Sequence, residues 1–120
     1  MATEDKSVSI APYFKVHNGK MAECKVICER LVEKTKSEPG CLYYGVTFNG
    51  DTAYVREAYV DGDATLAHVQ NVGALLGEWG KITDLLRIEF HGPEDELAKL
   101  RGPMADMKPQ YFTLECGFRR

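Results

Sequence analysis

One histidine near the middle of the chain has the residue type and the position to move protons. His68 lies in the stretch "EAYVDGDATLAHV", where an alternating strand ends, an acidic turn follows and a helix begins. An imidazole has an ordinary pKa of roughly 6.5, so modest changes in its surroundings can make it a general base at neutral pH. The competing interpretation is a core histidine with ordinary hydrogen bonds, and the sequence leaves both open.

Helical periodicity places this histidine at one margin of an apolar stripe. At about 100° per residue, Val72, Leu75 and Trp79 fall on the same stripe as His68, and Asn71 lies just outside it. This pattern predicts a pocket between the helix and a sheet, with a proton-transfer group in its wall. In that pocket the Trp79 ring and the apolar side chains would contact a substrate, and Asn71 could bond a carbonyl.

Glu57 is the second candidate for proton transfer. It is the acid in the interior of a predicted hairpin, where it alternates with an apolar set that includes Tyr59. One interpretation is a charge paired with Arg56, Arg87 or a partner chain. The other is an acid held against His68, which would orient the ring. We therefore predict His68 and Glu57 as the catalytic residues.

An aromatic-rich hairpin precedes the histidine. Two alternating segments, Cys41–Phe48 and Asp51–Tyr59, flank an Asn-Gly dipeptide that favours a tight antiparallel turn. The concentration of rings suits cross-strand packing, but it equally suits a pocket lined by rings and hydroxyls. In the second interpretation Tyr44 and Tyr59 would hold the rings of a substrate.

The remaining segments predict how these residues are positioned. They are a strand at Val8–Val16, a helix from Gly19 to Glu38, a helix from Asp63 to Gly77 or Trp79, a strand at Leu85–His91, a short helix, and a strand at Pro109–Phe118. The order β-α-β-β-α-β predicts an α+β, ferredoxin-like fold with an antiparallel sheet. We expect one domain, residues 1–120, with its core at about 8–91 and a helix–strand extension at 92–120.

The composition limits the partners of the protein. The net charge is −3 and no basic stripe is present, so we expect no nucleic-acid partner. No apolar run approaches the roughly 20 residues that span a bilayer, and the first ten residues are polar and acidic, so we expect no membrane partner and a cytoplasmic protein. The strands are apolar on both faces while the helices cover one, which predicts a homodimer.

The cysteines and the glycines give no sign of a metal or a cofactor. None of the four cysteines forms a C-x-x-C pair, and Cys24 and Cys28 share a helix face, so we expect reduced core thiols and no metal. Phosphate-loop, dinucleotide and nucleophile-elbow motifs are missing from the sequence. We therefore expect a small-molecule substrate and no cofactor.

Two stretches resemble the antibiotic biosynthesis monooxygenase (ABM) family of dimeric α+β barrels. They are "EPGCLYY", residues 38–44, and "REAYVDGDATLAHV", residues 56–69, and the resemblance covers about residues 8–91. It implies a homodimer with a small-ligand pocket. Members similar to this chain include cofactor-free quinol or anthrone oxygenases, isomerases of small sugar-like signals and haem-degrading enzymes.

The resemblance favours some of these activities over others. Haem degradation needs an axial histidine later in the second helix, and none lies between Val69 and Phe90. We therefore expect a cofactor-independent monooxygenase that acts on a small aromatic or quinol-like compound, in which His68 removes a hydroxyl proton. An isomerase of a small carbonyl compound and a non-catalytic small-ligand-binding or stress protein remain as alternatives.

Overall fold

The computed structural model describes residues 4–120 and has the predicted order of elements. The elements are β1 (Val8–Val16), α1 (Met21–Thr35), β2 (Cys41–Asn49), β3 (Thr52–Tyr59), α2 (Gly62–Asn71), α3 (Gly73–Gly80), β4 (Thr83–Gly92), α4 (Glu94–Arg101), a 3₁₀ turn (Ala105–Met107) and β5 (Gln110–Thr113). The predicted α+β, ferredoxin-like fold is thereby confirmed. Within the described part of the chain, no helix is long and apolar enough to cross a membrane.

The strands form one five-stranded sheet in the order β2-β3-β1-β4-β5. The first four strands are antiparallel to their neighbours, and β5 is parallel to β4 at the edge. The C-terminal extension therefore lengthens the sheet along that edge. Its strand is shorter than the predicted Pro109–Phe118, because β4 ends at Gly92 and offers no partner beyond the bond from Leu114 N–H to the Gly92 carbonyl.

The first helix is shorter than the sequence pattern indicated. The pattern predicted a helix to Glu38, whereas α1 ends at Thr35. A residue that precedes proline is disfavoured in helical conformation, and Glu38 precedes Pro39. Glu38 therefore lies in the loop between α1 and β2, with its side chain directed by that loop instead of by a helix face.

The second predicted helix is divided into two. Residues 63–79 were expected to form one helix, but α2 ends at Asn71 and α3 begins at Gly73. Between them Val72 leaves helical geometry, with φ −99° and ψ 8°, and it is fully buried. Glycine at the next position has a low helix propensity, which lowers the cost of the break. Helix α3 then packs against α1, with Leu75 and Trp79 in the same cluster as Leu31.

Two apolar clusters fill the space between the helices and the sheet. One joins α1 and α3 to the sheet around Leu31 and Trp79. The other joins α4 and the end of the sheet around Phe90 and Leu97. Helix α2 packs against the second cluster through Ala64, Leu66 and Val69, and its first residues are held by α4, because the Gly62 N–H donates to Glu96 Oε1 at 2.9 Å. The extension thus supports the helix that carries His68.

Candidate active site

A narrow pocket lies between the sheet and the helices, where the two apolar clusters meet. Its volume is about 60 Å³, comparable with the space of about two water molecules in the liquid. Most of its lining is aliphatic or aromatic and includes Leu31, Phe90 and Met104. Four lining residues carry a polar group: Tyr44, Glu57, His68 and Trp79. The pocket therefore combines an apolar wall with a few polar atoms.

His68 is placed in this pocket by a well-capped helix. The side chain of Asp61 accepts the Ala64 N–H at 2.8 Å and starts α2, and His68 follows two turns later with 3% of its surface exposed. Its Nδ1 lies 3.0 Å from Oε1 and 2.9 Å from Oε2 of Glu38. The Nε2 atom lies on the other side of the ring and makes no hydrogen bond to a residue in the described part of the chain.

Glu57 faces the other nitrogen of the histidine. It lies on β3, 5% exposed, and its Oε1 is 3.4 Å from His68 Nε2. Tyr59 donates its hydroxyl hydrogen to the same Oε1 at 2.6 Å. Burial raises the pKa of Glu57 to about 8, the charge of Glu38 adds to that rise, and the hydrogen bond from Tyr59 opposes it. At neutral pH this side chain is therefore mostly a carboxylic acid.

The pKa of His68 is shifted in the opposite direction, downwards. Burial lowers the pKa of His68, while the hydrogen bond from Nδ1 to Glu38 and the charge of that carboxylate oppose the fall. A neutral imidazole and a neutral carboxylic acid therefore face each other at pH 7. One can accept a proton and the other can donate one, which is the pair of functions that acid–base catalysis requires.

Two tyrosine rings enclose the imidazole. The ring centroids of Tyr44 and Tyr59 lie 5.2 and 4.8 Å from that of His68. Burial, with the charge of Glu57, raises the pKa of Tyr44 well above its usual value. This hydroxyl therefore stays protonated and acts only as a hydrogen-bond donor or acceptor. Tyr44 lines the pocket, whereas Tyr59 is fully buried behind Glu57.

Several polar atoms of the pocket residues have no protein partner. Within residues 4–120, neither the Tyr44 hydroxyl nor Oε2 of Glu57 is hydrogen-bonded to another residue. The indole Nε1 of Trp79 is buried and also lacks a partner. Buried polar groups are normally paired, and orphans cost free energy. Within residues 4–120 the other two buried atoms without a partner, Thr35 Oγ1 and the Tyr111 hydroxyl, lie outside this pocket, so the Trp79 N–H is the buried donor here that a ligand could engage.

The structure brings some of the predicted site residues together and separates others. Trp79 and Tyr44 line the pocket beside the pair of Glu57 and His68. Tyr59, Asn71, Val72 and Leu75 do not line it: Asn71 is bonded to Glu38, and Val72 and Leu75 are buried between α1 and α3. Their part in substrate binding remains a prediction.

Glu57 has no arginine partner in the described residues. Arg87 pairs with Glu89 and Gln110, and Arg56 stacks on Tyr43. The acid instead lies against His68, as one of the two interpretations from sequence required. Within residues 4–120, no group of three or more His, Cys, Asp and Glu side chains is arranged to hold a metal ion.

Sequence reasoning missed Glu38, Met104 and Met107. Glu38 was placed in a helix, although the following proline is a signal that the helix has ended. Met104 and Met107 come from the C-terminal extension, and each lines the pocket. No periodic pattern connects residues 104–107 with residues 57–68, so only the folded chain reveals that these methionines belong to the site.

The family model described as antibiotic biosynthesis monooxygenase matches residues 7–75. Among solved structures, MupZ from Pseudomonas fluorescens has a TM-score of 0.94 and 42% identity, covering 100% of this chain and 94% of MupZ. Rv0793 from Mycobacterium tuberculosis has a TM-score of 0.64 and 17% identity over 72% of this chain and 94% of its own. No curated protein sequence matches the chain.

A further solved structure has a stated activity. SnoaB from Streptomyces nogalater, described as a cofactor-independent oxygenase, has a TM-score of 0.63 and 14% identity, over 71% of this chain and 90% of SnoaB. At that identity the likeness concerns the fold. SnoaB and Rv0793 each match less than three quarters of this chain, whereas the match with MupZ spans all of it, the C-terminal extension included.

Proposed function

The chain belongs to the antibiotic biosynthesis monooxygenase family, and we propose that it is a cofactor-independent oxygenase of a small, electron-rich hydroxyl compound such as a quinol. One observation carries the proposal: Glu57 and His68 face each other in the wall of an apolar pocket, with Glu57 Oε1 3.4 Å from His68 Nε2. An apolar wall makes a lasting charge costly, so it favours groups that pass a proton on and return to their neutral forms.

The proposed reaction begins with proton removal. His68 Nε2 accepts the hydroxyl proton of the substrate, and the resulting anion carries electron density on a ring carbon. That carbon reduces O₂ and forms a carbon–oxygen bond, giving a peroxide anion. Glu57 donates its proton to the peroxide oxygen. The hydrogen on the same ring carbon then leaves with the terminal hydroxide as water, which leaves a carbonyl, and the proton held by His68 returns to Glu57. One O₂ is consumed, one oxygen atom enters the product and the other leaves as water.

The surroundings support each step. The raised pKa of Glu57 keeps it able to donate a proton at neutral pH, and the lowered pKa of His68 keeps its ring able to accept one. The hydroxyl of Tyr44 and the indole N–H of Trp79 are donors without a protein partner, suited to a developing oxygen anion. SnoaB, a cofactor-independent oxygenase, has the same fold, which makes the chemistry compatible with this scaffold.

The size of the pocket restricts how a substrate enters. A volume of about 60 Å³ does not hold an aromatic ring with its substituents, since occupied ligand pockets are typically several hundred Å³. Met104 and Met107 line one part of the wall, and the Met107 side chain is 37% exposed. Methionine changes rotamer readily. We propose that these two side chains move aside when the substrate binds.

A second function is favoured by the same pair. An acid and a base in one pocket can move a proton between adjacent atoms of a carbonyl compound, as an enolising isomerase does, and this reaction needs no O₂. The two functions differ in one measurable quantity, the consumption of oxygen.

We expect oxygen uptake with a panel of hydroquinones and naphthohydroquinones, measured with a chelator present and corrected for autoxidation. His68→Ala should lower the rate by roughly 10²–10⁴-fold, the usual contribution of a general base. His17→Ala is the matched control, because His17 is also paired with a carboxylate, Asp84 at 3.0 Å, but is exposed. Equal rates for His68→Ala and the wild type would refute the oxygenase mechanism.

An anaerobic measurement tests the second function. Small ketones incubated in D₂O should take up deuterium next to the carbonyl only if the pair catalyses enolisation. Exchange that is lost in His68→Ala and independent of oxygen would favour the isomerase. Saturable binding of a quinol with neither oxygen uptake nor exchange would instead identify a ligand-binding protein.

A further inference from the structure

We propose that Glu38 is the positioning residue of His68: its carboxylate holds the Nδ1–H, so that Nε2 is the unprotonated nitrogen on the pocket side. The inference deepens the proposed function, since it assigns the nitrogen that accepts the substrate proton. The protonation state itself can be measured without any substrate. Neither the helix pattern nor the family match assigns Glu38 a role.

The contacts around Glu38 fix its carboxylate in place. Both of its oxygens lie within hydrogen-bonding distance of His68 Nδ1, at 3.0 and 2.9 Å. Asn71 donates from Nδ2 to Oε2 at 2.8 Å, and also to the carbonyl of Lys34 at 3.3 Å. His68 and Asn71 are one helical turn apart on α2, so one helix supplies both donors. The side chain of Glu38 is only 11% exposed.

The loop that carries Glu38 can reach the helix because of a glycine. A Cβ atom at Gly40 would lie 2.6 Å from the Cβ of Ala64, which is one turn before His68 on α2. Only a residue without a side chain permits this approach. The carbonyl of Gly40 also accepts the Val60 N–H at 2.9 Å. The sequence Glu38-Pro39-Gly40 therefore ends a helix, directs a carboxylate and allows the close contact.

Hydrogen-bond chemistry then decides the tautomer. A neutral imidazole has one N–H and one lone pair, and an ionised carboxylate only accepts. Glu38 Oε2 already accepts from Asn71, and Nδ1 can bond to the same carboxylate only as a donor. Nε2 is thereby left with its lone pair. This is the arrangement in which an acid orients a histidine for proton transfer.

The groups that face the imidazole from every packed element agree with this state. Helix α2 contributes the ring itself, and the loop before β2 contributes Glu38. Strand β3 contributes Glu57, which is 3.4 Å from Nε2, together with Tyr59. Strand β2 contributes Tyr44 and Cys41. Burial raises the pKa of the Cys41 thiol, and the charges of Glu38 and Glu57 add to that rise. Apart from His68 itself, none of these groups is cationic, so Glu38 is balanced only by hydrogen bonds from Nδ1 and Asn71.

Nitrogen NMR of the histidine ring tests the assignment directly. Protein labelled with ¹⁵N at histidine should show, for His68 near pH 7.5, a protonated Nδ1 and an unprotonated Nε2. Glu38→Leu removes the acceptor, so the proton should redistribute towards Nε2. Glu38→Gln keeps an oxygen for Asn71 and Nδ1, so the tautomer should persist while the pKa of His68 falls with the lost charge. The signals of His17 and His91 should stay unchanged in both variants.

Two results would overturn the positioning role. One is a wild-type His68 that carries a proton on Nε2 at this pH, either alone or on both nitrogens. The other is a folded Glu38→Leu protein whose His68 shifts and pKa equal those of the wild type. The wild-type spectrum decides the tautomer even if the leucine variant does not fold.

Turnover separates this inference from the proposed function. With a quinol that the wild type oxidises, Glu38→Leu should lower kcat by at least 10-fold with KM little changed, because the base is disoriented while the pocket wall is intact. Loss of an orienting carboxylate can lower kcat by up to about 10⁴-fold in a serine protease. The expected tautomer without turnover of any quinol would leave Glu38 as a positioning residue and refute the oxygenase instead.

Discussion

The buried carboxyl of Glu57 should make the stability of this protein fall with rising pH. The side chain is 5% exposed, and among the described residues no cation other than a protonated His68 could pair with it. Glu57→Gln removes the titration while preserving the shape of the side chain. The amide oxygen can still accept the hydrogen bond from Tyr59 that Oε1 accepts at 2.6 Å. The variant therefore isolates the cost of ionisation from the effects of packing.

The size and the sign of the effect follow from the pKa. Burial raises the pKa of Glu57 from the ordinary 4.5 to about 8 in the folded protein. Because the folded value is the higher one, the favourable contribution is fully present below pH 4.5 and is lost as the pH rises to about 8. Between pH 5 and pH 8 the loss amounts to roughly 3 to 4 kcal/mol, since the slope approaches about 1.36 kcal/mol for each pH unit only between the two pKa values.

Urea unfolding at pH 5, 6, 7, 8 and 9 measures this loss. The free energy of unfolding of the wild type, minus that of Glu57→Gln, should fall by roughly 3 to 4 kcal/mol from pH 5 to pH 8 and then level off. Titrations of groups distant from Glu57, which the two proteins share, largely cancel in the difference. Glu33→Gln, at a side chain that is 78% exposed, is the control and should give a flat difference. A change below about 1 kcal/mol for Glu57→Gln would refute a neutral Glu57 and, with it, its role as the acid.

Two further predictions concern the loop and the assembly. Gly40→Ala should lower the free energy of unfolding by roughly 1–3 kcal/mol through overpacking against Ala64. The control is Gly77→Ala, where an added Cβ meets nothing within 4 Å, and it should be neutral or stabilising. Equal effects of the two substitutions on stability would contradict the close approach of Gly40 to Ala64. The sheet face opposite the helices exposes rings such as Tyr43 and Phe112, which favours a face-to-face dimer. Light scattering should therefore give twice the chain mass of 13.5 kDa. A monomer at micromolar concentration would contradict this dimer.

The order of elements could be predicted because each depends on a local signal. The Asn-Gly turn and its alternating flanks place β2 and β3 next to each other, and the register of that hairpin sets Tyr44 opposite Glu57. Where prediction differed from the structure, a tertiary partner decided. Val72 interrupts the second helix so that α3 can pack on α1, and β5 stops where β4 ceases to offer hydrogen bonds.

The candidate site was predictable only in part, for the same reason. His68 and Glu57 were identified by residue type within a local pattern, an imidazole on an apolar stripe and an acid among apolar strand positions. Their separation of 3.4 Å, and the opposite directions in which burial shifts the pKa of the two groups, depend on packing that only the folded chain creates.

By itself, the sequence determined the order of the strands and helices and singled out His68 and Glu57 as candidates for proton transfer. The tertiary structure decided which groups surround them. Glu38 is 30 residues from His68 along the chain, and Met104 lies in a segment outside the family pattern. A pattern of neighbours along the chain specifies local conformation, whereas the protonation of a buried ring depends on distances between segments that meet only when the sheet and its helices pack.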